Sequence, residues 1–166
     1  MSSSTTSSPT SSNWDGNAVY WRGEPSYQLP SDLIRYQEII FRDMPDWIIE
    51  TGGGSGTTWF LSDVCNLIGH GRVYPVREDS LGNIPALEGT VMALLDSDVY
   101  SEEHMYAELR AYAPLVSRAQ YMVVCHTDRS DWGAQPALAR YLDENPEMFM
   151  RNSSPDPSLA TYLIRR

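Results

Sequence analysis

Residues 46–63 read D-W-I-I-E-T-G-G-G-S-G-T-T-W-F-L-S-D, and this stretch constrains the fold more than any other in the chain. A bulky apolar run, Trp47, Ile48 and Ile49, leads into Glu50. Glycines then stand at Gly52, Gly54 and Gly56, with Gly53 between the first two, and an amphipathic segment follows. That order predicts a buried strand, a tight turn and a helix N-terminus. Such a turn leaves bare main chain at the carboxyl end of a parallel strand, where a ligand can lie against backbone N–H groups.

The remaining elements follow from periodicity and breakers. Leu33, Tyr36 and Ile40 recur at helical spacing over 32–42, with Ser31 as the expected N-cap after Pro30 and Pro45 beyond the end. A helix is expected over 57–68, with Phe60, Val64, Leu67 and Ile68 on its apolar face and Gly69 closing it. Strands are expected at 47–51, 72–76, 91–95 and 121–124. Helices are expected at 102–112, with Met105, Leu109 and Tyr112 inward, and at 136–143. Segments 147–151 and 159–164 read as a closing antiparallel pair. Alternating strands and helices give an α/β fold, a mostly parallel sheet with helices on both faces. Candidate functional groups then collect at strand carboxyl ends: Glu50 to Gly56, Arg77 to Asp79, Asp96 to Tyr100, and Cys125 to Asp128.

Composition narrows the partners. The 166 residues suit one domain, 31–166, preceded by an extended aromatic lead-in at 13–30 and a Ser/Thr-rich tail at 1–12 that is too polar to fold. The formal charge is −10, which argues against a nucleic-acid partner and against an anionic lipid surface. No apolar run reaches the roughly 20 residues of a membrane span. Two cysteines, Cys65 and Cys125, stand in unrelated contexts, so a reduced, cytoplasmic protein is expected, with organelle targeting by the Ser/Thr-rich tail as the alternative. In the lead-in, Tyr20, Trp21 and Tyr27 are expected to pack against the first helix.

Five segments carry a resemblance: P-S-D-L-I-R-Y-Q-E-I-I, P-D-W-I-I-E-T-G, L-L-D-S-D, A-E-L-R-A-Y-A-P-L-V-S and the closing Y-L-I-R-R. In this order they resemble the cephalosporin hydroxylase family, whose fold is the Rossmann-like fold of class I S-adenosylmethionine methyltransferases. The resemblance runs from about Tyr20 to Arg166. It implies an O-methyltransferase acting on a small hydroxylated molecule. By the same resemblance Glu50, Gly52, Gly53, Gly54 and Gly56 form the cofactor turn, with Glu78 and Asp96 as further cofactor contacts. Asp98, Tyr100 and His126 are the catalytic candidates.

The chain departs from the family at three places. The family's metal-holding Glu-Asp pair is replaced by Cys125-His126, so the candidate metal set becomes Asp98, Cys125 and His126, softer donors than magnesium prefers. Val99 and Tyr100 stand where the family places a His after D-S-D, and His104 reads as a surface or helix-facing side chain. Only residues 77–90 separate the second and third strands, too few for the usual strand-helix unit. One edge unit is therefore missing, and 72–76 is expected to be the sheet edge. These departures support an alternative reading, a catalytically inactive scaffold or binding subunit meeting a partner or another copy through that edge. A cofactor-free hydrolase or redox protein using Cys125 and His126 is the remaining class, without a G-x-S-x-G nucleophile turn.

Overall fold

The computed structural model describes residues 19–77, 81–97, 101–129, 132–152 and 160–166. The tail at 1–12, the start of the lead-in, Glu78, Asp79, Asp98, Val99 and Tyr100 lie outside the described residues. In chain order the elements are β1 (Val19–Trp21), β2 (Glu24–Ser26), α1 (Pro30–Asp43), β3 (Trp47–Thr51), α2 (Gly56–Ile68), β4 (Arg72–Val76), β5 (Val91–Leu95), α3 (Glu102–Tyr112), a 3-10 turn at Ala113–Leu115, β6 (Tyr121–Val124), α4 (Ala134–Glu144), β7 (Phe149–Asn152) and β8 (Thr161–Arg165). The strands β3, β4, β5 and β6 fall where the apolar runs place them.

Six strands form one sheet in the order β4-β3-β5-β6-β8-β7. The pairs β3–β4, β3–β5 and β5–β6 are parallel, whereas β6–β8 and β7–β8 are antiparallel. Period-two alternation sends the strand side chains to two cores. Ile48, Met92, Leu94, Tyr121 and Val123 meet Tyr36 of α1 and Leu61 of α2 on one face. Ile49, Ala93, Leu95, Met122 and Val124 meet Leu109 of α3 and Leu138 of α4 on the other. Every residue of β5 and β6 is buried, as strands covered on both faces require. Each such aliphatic side chain contributes roughly 1.5–3 kcal/mol by leaving water.

Several local expectations need correction. Helix α1 starts at Pro30, with Leu29 in the cap position and no side-chain cap, so Ser31 lies inside the first turn. Proline is preorganised for that first position and lacks the N–H that a cap would satisfy. On α2 the buried face is Phe60, Leu61, Val64 and Cys65, while Leu67 is 85% exposed. Helix α4 begins two residues before Pro136, at Ala134. The lead-in contains a hairpin, β1 with β2, that packs on α2 rather than on α1. Trp21 stands edge-on to Phe60 at 5.1 Å and donates its Nε1–H to Asp63 at 2.8 Å. Tyr20 and Tyr27 are exposed.

The expected sheet edge is found: among the described residues β4 pairs only with β3. Arg72 donates its N–H to the Asp46 carbonyl, which sets the ladder so that Arg72, Tyr74 and Val76 bond inward. Val73 and Pro75 therefore turn their main chain outward. Proline has no N–H to offer a further strand, so Pro75 blunts the edge. The chain is adapted to ending its sheet here. Among the described residues no helix is long and apolar enough to cross a membrane.

This register predicts an alternating pattern of amide hydrogen exchange along β4. Tyr74 and Val76 are protected, and Val73 exchanges close to the free-amide rate. A protected Val73 amide in the isolated protein would mean that another strand covers the edge.

Candidate functional site at the strand carboxyl ends

The turn after β3 is built by steric exclusion. Gly52 has φ +80°, and a Cβ there would sit 2.1 Å from the Asp96 carbonyl oxygen. A Cβ on Gly53 would fall 2.7 Å from the Pro75 Cβ. Gly54 has φ +103°, and a Cβ on it would meet nothing within 4 Å. The three glycines thus do different jobs. Gly52 lets the ends of β3 and β5 approach, Gly53 clears the edge strand, and Gly54 presents bare main chain to open space. Gly56 is filled from another direction, because its Cβ position lies 2.4 Å from the Glu24 carbonyl of the hairpin.

Alternation along β3 splits the next two residues between the faces. Glu50 turns toward α2 and is fully buried, accepting a hydrogen bond from the Thr58 hydroxyl at 2.8 Å. That hydroxyl in turn accepts from the Gly54 N–H at 3.0 Å, so Glu50 fixes the turn through Thr58. Ser55 caps α2, its hydroxyl accepting from the Thr57 N–H at 3.2 Å. Thr51 turns toward α3 and donates to Glu108 Oε2 at 3.3 Å. The Thr51 hydroxyl also accepts the Asp96 N–H at 2.9 Å, tying the end of β3 to the end of β5.

Asp96 reaches across to β6. Its Oδ1 lies 3.0 Å from His126 Nε2, with 10% and 13% of the two side chains exposed. His126 has φ +58°, a left-handed conformation uncommon for a residue with a Cβ. Its ring stands 4.7 Å from Trp132, which is covered in turn by the Arg129 guanidinium at 4.4 Å. A small pocket of about 10 Å³, room for about one water, is lined by Leu95, Ser97, Met105, Cys125, Trp132 and Ala134 beside the His126 ring. A carboxylate-held imidazole is a geometry for moving a proton.

Of the metal set named from the sequence, the two described members, Cys125 and His126, turn to different partners. Cys125 continues the Tyr121–Val123 alternation into the core on the α1/α2 face, where its Sγ lies 3.6 Å from the Tyr36 hydroxyl. Burial pushes this thiol well above its ordinary pKa, with the Asp96 charge adding to the effect. His126 points instead to Asp96, and Asp98 lies outside the described residues. Among the described residues no three His, Cys, Asp or Glu side chains gather to hold a metal. Glu78 and Tyr100 also lie outside them.

A broad groove, about 780 Å³, opens at the opposite ends of the strands among Asp46, His70, Arg72 and Glu88. Asp46 there accepts the N–H and the hydroxyl of Thr90 at 2.7 and 3.0 Å, bonds that hold its carboxyl below the usual range. This acid closes a loop, and the groove lies away from the glycine turn.

Comparison with known proteins gives the family and the fold. The family model described as rhamnosyl O-methyltransferase/CmcI matches residues 14–83 and 79–160. The chain belongs to this family. A relative is the rhamnosyl O-methyltransferase of Mycobacterium leprae (strain TN), 26% identical over 159 residues, covering 78% of this chain and 68% of that protein. Among solved structures, CmcI with SAH superposes with a TM-score of 0.67 at 16% identity, over 91% of this chain and 84% of that one. CmcI with Mg and SAM gives 0.65 at 15% identity, over 89% and 76%. CalS11, a TDP-rhamnose 3'-O-methyltransferase, gives 0.60 at 15% identity, over 81% and 79%. At these identities the structural likeness shows the shared methyltransferase fold.

Sequence reasoning missed Thr51, Thr58, Glu108 and Trp132. Glu108 had a visible signal, an acid inside the apolar stripe of Met105, Leu109 and Tyr112. The two threonines had none beyond their positions beside the glycines.

The geometry separates the glycines experimentally. Gly52→Ala should cost about 2–5 kcal/mol in chemical denaturation, from left-handed strain plus the clash with Asp96. Gly54→Ala should cost about 1–2 kcal/mol, from strain alone. Equal losses would contradict the assigned roles. Both thiols should resist a disulfide reagent in the native protein and react after unfolding, whereas rapid labelling of Cys125 would place it in an open site.

Proposed function

We propose that the protein is an S-adenosylmethionine-dependent O-methyltransferase acting on a small hydroxylated molecule. The observation that carries the proposal is Gly54, just beyond the carboxyl end of β3, where a Cβ would meet nothing within 4 Å, in a chain that belongs to the rhamnosyl O-methyltransferase/CmcI family. S-adenosylmethionine supplies an electrophilic methyl group on its sulfonium. The chain's part is to position and to move a proton. Gly52 and Gly54 bring main chain close to the cofactor's methionine end, with Glu50 fixing the turn through Thr58.

The acceptor hydroxyl is proposed to meet His126 beside Met105, Trp132 and Ala134, where the pocket of about 10 Å³ has to widen to admit it. Asp96 orients the His126 ring through Nε2, which leaves Nδ1 to receive the hydroxyl proton. Asp98 and Tyr100, in the segment between β5 and α3, are the other candidates for that proton. A hard cation of the kind present in the CmcI complex with Mg needs several oxygen ligands. Among the described residues Asp96 is the carboxylate placed to meet it, and its Oδ1 already meets His126, so the described side chains do not make up such a ligand set.

Calorimetric titration tests the proposal. S-adenosylmethionine and S-adenosylhomocysteine should bind with micromolar affinity, and Gly54→Val should abolish the signal while the protein stays folded. His126→Ala should keep affinity within about threefold, because the imidazole serves the acceptor rather than the cofactor. Absence of heat at millimolar ligand would overturn the enzymatic reading and favour the scaffold reading, for which Pro75 leaves the β4 edge a poor site for adding a strand.

A further inference from the structure

Glu108 is 3% exposed and sits in the middle of α3, within the apolar face that packs on the sheet. A carboxylate is costly to place there, and desolvation raises its pKa. Three side chains meet it. Thr51 donates to Oε2 at 3.3 Å, the Ser97 side chain bonds it as well, and His104 Nε2 lies 3.2 Å from Oε1. Thr51 is the last residue of β3, and Ser97 stands two residues beyond β5. Glu108 therefore grips both walls of the crevice at once. Thr51 extends the grip by accepting the Asp96 N–H at 2.9 Å, and Asp96 in turn holds His126.

We propose that Glu108 is a positioning residue: by clamping Thr51 and Ser97 it sets the separation of the β3 and β5 ends, and so shapes the cofactor crevice. The proposal rests on the cofactor reading given above. Removing this carboxylate alone leaves Thr51, Ser97 and His104 without their acceptor, so the loss costs stability as well as geometry, and only a variant that still accepts separates the two. His104, with 21% of its side chain exposed, reaches the surface and fixes the carboxylate's orientation from the solvent side.

The test compares Glu108→Leu, Glu108→Gln and Thr51→Val with the wild type in three measurements: S-adenosylhomocysteine affinity, denaturation midpoint, and backbone amide resonances. Glu108→Leu should bind at least tenfold more weakly at a temperature where it is still folded, with the Asp96 and Ser97 amides displaced. Thr51→Val should displace the Asp96 amide and weaken binding in the same direction. Glu108→Gln should stay within threefold of wild type, because its side-chain carbonyl still accepts the Thr51 hydroxyl. Wild-type affinity in Glu108→Leu, or unmoved Asp96 and Ser97 amides, would overturn the proposal. So would affinity and stability falling together in both Glu108 variants. Should the wild type itself fail to bind, the cofactor reading falls. The clamp is then judged by the amides alone, displaced in its favour or unmoved against it.

Discussion

The approach of Gly52 to the Asp96 carbonyl is the contact on which the rest of the site depends. From β3 the sheet grows toward β4 on one side and β5 on the other, so the order of strands reverses at this point. Open α/β sheets part their carboxyl ends at such a reversal and form a crevice. The floor of this crevice stays closed because no Cβ separates Gly52 from the Asp96 main chain. A larger residue would push the two strand ends apart and take the register of the helices with them.

Above that floor, buried polar groups hold the two walls in place. Period-two alternation gives Glu50 to the α2 face and Thr51 to the α3 face. Each finds a partner on its own helix, Thr58 on one side and Glu108 on the other. The turn is thus pinned from both layers, and the pins share atoms with the main chain at Gly54 and Asp96. Buried hydrogen bonds of this kind contribute little net stability but are expensive to break singly, which favours one geometry over its neighbours. A site built this way is preorganised by the scaffold rather than by its loops.

The strands and the glycine turn were legible because they rest on local signals, namely apolar runs of strand length, breakers, and the order of glycines. The missing edge unit was legible from the length of 77–90, and Pro75 supplies a reason that the sequence reading did not use. What escaped was non-local. Ser31 looked like a cap because the competing start, Pro30 at the first helical position, needs none. Leu67 looked inward because helical periodicity does not say how wide the buried stripe is. Cys125 and His126 were paired as ligands because they stand where the family has Glu-Asp, yet the thiol enters the α1/α2 core and His126, at a left-handed φ, turns its imidazole to Asp96. The threonine and glutamate pins depend on which helix covers which face, a fact of topology that no single segment carries.

The central claim is that this crevice, and not the broad groove at the other ends of the strands, receives the nucleoside-bearing ligand. Mapping amide chemical-shift changes on adding S-adenosylhomocysteine addresses it directly. The account predicts the largest changes at Gly52, Gly53, Gly54 and Asp96, with Asp46, His70 and Glu88 unmoved. Changes confined to Asp46, His70 and Glu88 would contradict it.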